Sequence, residues 1–198
     1  MAVSRFTRWT ISAWLTAIAL CASFGSALAQ EPMRVKFSTS AGAFVVEVYP
    51  DKAPKTVENF LQYVKDKHYD GTIFHRVIDN FMVQGGGFNA QYNQKPTRPP
   101  IPLEANNGLK NDVGTIAMAR TSDPNSATSQ FFINVKNNDS LNAPSPDGYG
   151  YTVFGKVVSG SEVIQKIKSS PTGAGGPFPT NVPKTSVLIN SVTLEKKP

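Results

Sequence analysis

The sequence predicts one mainly β domain, a closed barrel or a sandwich, with helices closing its ends. Short stretches of alternating apolar and polar residues recur along the chain, and turn residues separate them. Only two stretches have the spacing of an amphipathic helix, and neither an internal repeat nor a domain boundary is evident. Many short strands combined with few helices are typical of a barrel or a sandwich.

The first 29 residues have the pattern of a secretory signal peptide. Arg5 and Arg8 form a basic start, an apolar segment follows, and Ala27-Leu28-Ala29 is a cleavage site of the A-x-A type. The alternative is a retained membrane anchor, because no charged residue lies between Arg8 and Glu31. The cleavage site and the serines and threonines that interrupt the apolar segment favour removal. The mature protein would then be a single domain of residues 30–198.

Removal of this segment would leave a mildly basic chain without cysteine. Of the 20 basic residues, Arg5 and Arg8 would be lost, which leaves 18 against 14 acidic residues and a net charge of +4. Cys21 is the only cysteine, so disulfides, thiol catalysis and cysteine-bound metals are excluded from the mature domain. The basic residues form no continuous run, and we therefore expect no nucleic-acid binding.

The first part of the domain predicts a hairpin followed by a helix. Residues 35–39 and 44–48 alternate on either side of a turn at residues 40–42. Pro54 suits the first turn of a helix that is predicted to end near residues 70–71. Its apolar side recurs at helical spacing and is expected to face the core: Val57, Phe60, Leu61 and Val64.

Residues 74–88 predict two strands joined by a turn at Asp79-Asn80. An arginine is unusual in such an apolar stretch, because a buried charge is costly unless it is paired. Arg76 is therefore either an edge residue that reaches solvent or a functional residue. Alternation puts two groups of side chains each on one face of its strand: Phe74, Arg76 and Ile78 on the first, Met82 and Gln84 on the second.

The second part of the domain predicts four more strands and a short helix. The strands are expected at residues 113–119, 130–135, 151–158 and 187–194, the helix at 162–168, and polar loops at 89–102, 120–129 and 137–150, with an irregular stretch at 173–183. In the second of these strands, Phe131, Ile133 and Val135 suit a core. Phe132 shares the other face with Gln130, so it is either an exposed ring or the wall of a site.

The remaining residues exclude most kinds of chemistry. His68 and His75 are the only histidines and are not expected to converge, so we predict no metal site, and His75 is expected to pack in the core. No serine-hydrolase elbow and no phosphate-binding fingerprint is present, and no cofactor is predicted. Gly85-Gly86-Gly87 is expected to permit a bulge or a close approach of the backbone.

An arginine beside apolar and amide side chains suits a reaction that breaks no σ-bond. Rotation about an X–Pro peptide bond faces a barrier of about 20 kcal/mol, which amide resonance sets. A donor aimed at the prolyl nitrogen would stabilise the twisted transition state more than the planar ground state. Arginine is suited to this role because it stays protonated and its fork of donors is rigid.

Four motifs in the same order resemble those of the cyclophilin-type peptidyl-prolyl cis-trans isomerases. They are residues 74–76 (FHR), 81–86 (FMVQGG), 129–133 (SQFFI) and 153–157 (VFGKV). The likeness extends from about residue 35 to 194. The N-terminal segment, the short loop after Gly87 and residues 118–121 (MART) are similar to those of the periplasmic cyclophilins of Gram-negative bacteria.

The resemblance implies a closed eight-stranded antiparallel β-barrel capped by two helices, with an active groove on the outer surface of the barrel. Arg76 would donate to the prolyl nitrogen, and Gln84 would bind the substrate backbone. The other matched positions would form the substrate groove: Phe81, Met82, Phe132 and Leu141 as the proline pocket, Arg120 through its main chain, Gln130 as a support and Tyr151 as the closing residue. Phe81 has the wrong parity to join Met82 on a flat strand, so it must reach the pocket from the bend after Asn80.

Three positions depart from the pattern of many cytosolic members. Ser140 occupies the place of a tryptophan that is linked with cyclosporin, and Tyr151 occupies the place of a histidine. We therefore expect weak or no cyclosporin binding. Arg120 stands where an asparagine is usual, and its side chain either alters substrate preference or is a solvated loop charge.

The sequence leaves three hypotheses for the function. The first is a periplasmic, monomeric isomerase that acts on proline-containing peptides and on unfolded or partly folded exported proteins. The second is a binding module or holdase that uses the groove with little catalysis. The third is an immobile envelope scaffold, which would require the N-terminal segment to be retained as an anchor.

Overall fold

The structure is a computed structural model that describes Met1 and residues 33–195. The predicted signal peptide therefore lies, apart from Met1, outside the described residues. In chain order the elements are β1 (Met33–Thr39), β2 (Gly42–Val48), α1 (Pro54–Lys65), β3 (Thr72–Ile78), β4 (Met82–Asn89), β5 (Thr115–Met118), β6 (Phe131–Asn134), β7 (Val153–Ser159), α2 (Ser161–Lys168), β8 (Thr172–Gly175), β9 (Phe178–Pro183) and β10 (Leu188–Leu194).

Eight of these strands close into one antiparallel barrel in the order β1-β10-β3-β4-β6-β5-β7-β2. β1 and β2 pair along their full length and form the predicted hairpin. The barrel is closed by the pairing of β1 with β10 and of β2 with β7. The predicted closed eight-stranded barrel with two helices is confirmed.

Aromatic rings fill the barrel and connect it to α1. Phe37 stacks on Phe44 at 4.7 Å and meets Phe131 edge to face at 5.4 Å. Phe60 reaches from α1 to within 5.1 Å of Phe154. The apolar side of α2 joins the same core through Val163, Ile164 and Ile167. Each helix thus buries the side that its periodicity predicts.

The predicted faces of β3 are wrong in one respect. Phe74 is fully buried in the barrel core, whereas Arg76 and Ile78 lie on the outer surface. The cause is a bulge. Phe74 pairs with Gly85, and Arg76, two residues later, pairs with Gln84, which is only one residue away from Gly85. One extra residue on β3 changes the parity of the strand, and alternation alone cannot reveal such a residue.

Most of the other predicted strands and the second helix differ by one or two residues at their ends, and two differences are larger. α1 ends at Lys65 and not near residue 70, because Lys67 adopts a left-handed conformation with φ of 52°. The stretch predicted to be irregular contains a separate hairpin of β8 and β9. β9 packs against β3, and Phe178 lies 5.4 Å from the ring of His75. Within residues 33–195, no helix is long and apolar enough to span a membrane.

Candidate active site

A cavity of about 460 Å³ opens on the outer surface of the barrel, across β3, β4 and β6. All nine residues that the sequence singled out for a site line it: Arg76, Phe81, Met82, Gln84, Arg120, Gln130, Phe132, Leu141 and Tyr151. Four further residues share the lining: His75, Phe88, Ala119 and Phe178. The fold thus gathers residues from five separate stretches of the chain, and their roles in the reaction remain predictions.

The guanidinium of Arg76 is held by a chain of two amide side chains. Its Nη1 donates to Oε1 of Gln84 at 3.2 Å, and Nε2 of Gln84 donates to Oε1 of Gln130 at 2.9 Å. Cross-strand pairing of Arg76 with Gln84 and of Gln84 with Phe132 fixes this arrangement in the backbone. Among the described residues, Gln84 is the only hydrogen-bond acceptor of the guanidinium. The other N–H groups of Arg76 are therefore free to act as donors toward the cavity.

Gln130 lies directly against the backbone of Gly87. A Cβ at that position would lie 2.5 Å from Cγ and 2.7 Å from Nε2 of Gln130. Any side chain at residue 87 would therefore displace the amide that orients Gln84. This contact gives the third glycine of the Gly85-Gly86-Gly87 run the close backbone approach that the sequence predicts.

A second apolar cluster forms the floor and walls of the cavity on the outside of the barrel. Its buried members are Met82, Ala117, Phe132 and Val153, and Ile78, Phe81, Leu109, Ala119, Leu141 and Tyr151 pack against them. Phe132 is 4 % exposed and meets the ring of Tyr151 edge to face at 5.7 Å. Phe132 is thus not an exposed ring but a wall of the cavity, and its role toward a substrate stays a prediction.

Phe81 reaches the cavity from the bend between β3 and β4, as expected. Ile78 pairs with Met82, so Phe81 lies in the connecting turn, where Asn80 has a φ of 58°. The carbonyl of Phe81 accepts hydrogen bonds from the N–H of Val135 at 3.1 Å and from Nδ2 of Asn138 at 2.8 Å. These bonds fix the ring position without requiring it to share the parity of Met82.

Leu141 and Tyr151 mark the two ends of the loop that forms the far wall. The N–H of Tyr151 donates to the carbonyl of Leu141 at 2.9 Å. Asn111 is buried, and its Nδ2 donates to the carbonyl of Leu141 at 3.1 Å, while its N–H donates to Oδ1 of Asn142 at 2.7 Å. The first half of this loop is therefore anchored from below by Asn111.

The side chain of Arg120 is 2 % exposed, which excludes its interpretation as a solvated loop charge. Its Nη2 donates to both carboxylate oxygens of Asp147, at 2.9 and 2.7 Å. Nε and Nη2 donate to the carbonyl of Gly150, and Nη1 donates to the carbonyl of Thr121. The hydrogen bonds that Arg120 donates to the carboxylate hold the pKa of Asp147 below its usual value. The guanidinium also lies 4.4 Å from the ring centroid of Tyr151.

His75 is a packed histidine, as predicted, but it also lines the cavity. It is 3 % exposed, and its ring lies 4.8 Å from that of Phe88. Burial, assisted by the charge of Arg76, lowers the pKa of His75 to about 4, so the ring is neutral at pH 7. His68 lies elsewhere, against Tyr63. Within the described part of the chain, no three histidine, cysteine or acidic side chains form a group that could hold a metal.

Sequence reasoning missed all four additional lining residues, and three of them, His75, Phe88 and Phe178, are informative. His75 occupies the bulge, and Phe178 lies in the hairpin that was predicted to be irregular. Phe88 meets Phe178 edge to face at 5.1 Å. An aromatic residue just after the glycine run was the one available signal that the groove extends beyond Arg76.

Comparison with known proteins identifies the family of this chain. Residues 34–194 match the model of the family described as cyclophilin type peptidyl-prolyl cis-trans isomerase/CLD. Enzymes of this class catalyse rotation about X–Pro bonds and act on proline-containing peptides and proteins.

Relatives of known name agree with this class. The chain is 54% identical to peptidyl-prolyl cis-trans isomerase B of Escherichia coli over 82% of its length and 99% of the relative. It is 48% identical to peptidyl-prolyl cis-trans isomerase A of Dickeya dadantii, over 94% and 97%. A cyclophilin of Cryptosporidium parvum has a similar structure, with a TM-score of 0.69, 26% identity and coverage of 84% and 99%. A second structure of that protein, with a TM-score of 0.67, was obtained in the presence of the dipeptide Ala-Pro. The chain therefore belongs to the cyclophilin-type family and is a peptidyl-prolyl cis-trans isomerase.

Proposed function

We propose that the protein isomerises X–Pro bonds in exported polypeptides as they fold, and that Arg76 lowers the barrier by donating to the prolyl nitrogen. The observation that carries the mechanism is the chain from Arg76 through Gln84 to Gln130. This chain holds the guanidinium in place before substrate binds, so that little reorganisation is needed as the X–Pro bond twists.

The barrier arises because the nitrogen lone pair is shared with the carbonyl in the planar amide. As the bond twists, the lone pair localises on nitrogen and becomes a better hydrogen-bond acceptor. A donor at this place stabilises the transition state more than either planar isomer, which is the condition for a higher rate. Arg76 is half-buried beside apolar walls, where such a bond is stronger than in water.

The apolar cup gives the proline ring a place to remain while the preceding carbonyl rotates. Met82 and Phe132 form its buried floor, and Phe81 and Leu141 pack around them. The Cryptosporidium parvum relative was studied in the presence of the dipeptide Ala-Pro, which supports a short proline-containing peptide as the ligand. Among the described residues, the backbone N–H and carbonyl of Arg120 have no hydrogen-bond partner, which supports a role in pairing with the residue before proline.

The proposed setting is the periplasm, with exported unfolded or partly folded chains as clients. The pattern of residues 1–29 supports export, because it combines a basic start, an apolar segment and a cleavage site. The mass of the N-terminal peptide of the exported protein tests this directly. We expect a chain that begins near Gln30, whereas a protein that keeps Met1 in the envelope would contradict it.

The refolding of a protein limited by prolyl isomerisation tests the function. Wild-type protein at a small fraction of the client concentration is expected to accelerate the slow phase, and Arg76→Ala should lose at least about tenfold of this effect. Arg98→Ala is the matched control, since Arg98 is 48% exposed and pairs only loosely with Asp66 at 3.8 Å. A holdase would raise the yield without changing the slow rate, and that result would overturn the proposal.

A further inference from the structure

We propose that Arg120 and Asp147 act as a positioning pair that holds the Tyr151 wall of the groove over the bound polypeptide. On this account Arg120 does not read the charge of the substrate, although it lines the cavity. The proposal rests on the isomerase activity of the family and not on the role proposed for Arg76, so the two can fail separately.

All three nitrogens of the Arg120 guanidinium are already used by the protein. Nε donates to Gly150, Nη1 donates to Thr121, and Nη2 donates to Asp147 and Gly150. Nη2 is fully engaged and only one N–H of Nη1 is without a partner among the described residues, so this almost fully buried guanidinium cannot offer a substrate carboxylate a pair of N–H groups. Its charge is balanced by Asp147, which is 36% exposed at the side chain.

The pair connects the second half of the long loop to the rest of the molecule. Within the described residues, every hydrogen bond that leaves residues 143–149 for a residue outside the loop goes to Arg120. The first half of the loop has other anchors, since Asn138 and Asn142 bond to Asn111. Loss of the pair would therefore free the segment just before Tyr151 and leave Leu141 in place.

Arg120 also contacts the wall itself. Its guanidinium lies over the ring of Tyr151 at 4.4 Å, and that ring packs on Phe132 in the apolar cup. Arg76 is oriented independently, through Gln84 and Gln130. A change in the pair should accordingly weaken substrate binding and leave the chemical step intact, which appears as a higher KM at unchanged kcat.

The test is steady-state isomerisation of three peptides that differ only before proline, with Ala, Glu or Lys at that position. Asp147→Asn removes the charge but keeps the shape, and we expect its KM to rise about three- to tenfold for all three peptides. Asp147→Glu keeps a carboxylate on the exposed loop, so its KM should stay close to that of wild type. Arg120→Lys keeps the positive charge but loses the fork of donors, so its KM should rise as in Asp147→Asn. Asp51→Asn, at an exposed aspartate outside the groove, is the matched control and should behave as wild type.

Three results would overturn the proposal. One is an unchanged KM in Asp147→Asn, and another is a loss confined to kcat. The third is tighter binding of the Glu-Pro peptide alone, because it would mean that a released Arg120 reads substrate charge. Proteolysis at the loop provides a second measurement: cleavage beside the exposed Tyr149 should be faster in Asp147→Asn and slower when a proline peptide saturates the groove.

Discussion

At the scale of single residues, the two arginines of the groove differ because their partners differ. Arg76 gives one hydrogen bond to a neutral amide, so most of its donors remain available. Arg120 gives hydrogen bonds from all three nitrogens to a carboxylate and two carbonyls. The same functional group thus serves as a donor toward the cavity in one place and as a structural link in the other.

His75 is expected to make stability depend on acid. The pKa of His75 is lowered to about 4, so between pH 6.5 and pH 4 the unfolded chain binds a proton that the folded chain does not. The stability that the neutral, buried ring contributes is fully present above pH 6.5. It is lost as the pH falls through this window, and the free energy of unfolding should be lower by roughly 2 to 3 kcal/mol at pH 4.5. Urea unfolding at pH 7.5 and pH 4.5 measures it. His75→Gln should lose less stability on acidification than wild type, and equal losses would exclude the effect.

At the scale of elements, the two faces of β6 belong to different apolar clusters. Phe131 lies in the barrel core among Phe37, Phe60 and Phe74. Its neighbour Phe132 belongs to the outer apolar cluster that lines the cavity. Because side chains of a strand alternate, adjacent phenylalanines serve different purposes.

Substitution of these two phenylalanines should therefore affect different properties. Phe131→Ala should lower the free energy of unfolding by about 3 to 5 kcal/mol and leave the activity of the remaining folded protein near that of wild type. Phe132→Ala should lower kcat/KM at least about tenfold at a smaller cost in stability, because its cavity opens to solvent. Denaturant titration and peptide isomerisation distinguish the two variants, and a Phe132→Ala enzyme with full activity would show that this ring is not part of the proline pocket.

The glycine run within β4 makes the amide chain possible. Gly87→Ala places a methyl group against Gln130 and should break its hydrogen bond with Gln84. We expect kcat/KM to fall about threefold to thirtyfold with a small change in melting temperature. Gly173→Ala is the control, since a Cβ there meets Lys184 at an ordinary 3.6 Å. Equal activity in the two variants would show that the position of Gln130 has no influence on catalysis.

At the scale of the whole molecule, barrel closure brings together residues that are far apart in sequence. Gln84 and Gln130 become hydrogen-bonded neighbours because β4 and β6 pair. Arg120 and Asp147 meet because the loops after β5 and β6 extend over the same side of the barrel. The core inside the barrel supports this outer surface without contributing side chains to the apolar cup.

Alternation and helical spacing were sufficient to predict most strands, both helices and the division between Phe131 and Phe132. The bulge at His75 could not be predicted, because nothing in the residue types of β3 marks the extra residue. That residue reverses which side chains of the strand face the core. The hairpin of β8 and β9 depends on contacts of Phe178 with β3, which is a tertiary interaction. The prediction that the nine site residues share one groove came from the family resemblance. Local patterns alone did not decide whether Arg76 is an edge residue or a functional residue.

The most direct test of the central claim is the isomerisation rate of an Xaa-Pro peptide with purified wild type and Arg76→Ala. We expect kcat to fall at least about tenfold in Arg76→Ala with little change in KM, because the donor acts on the twisted bond. Arg98→Ala should keep the wild-type rate in the same assay. A wild-type rate in Arg76→Ala would contradict the mechanism.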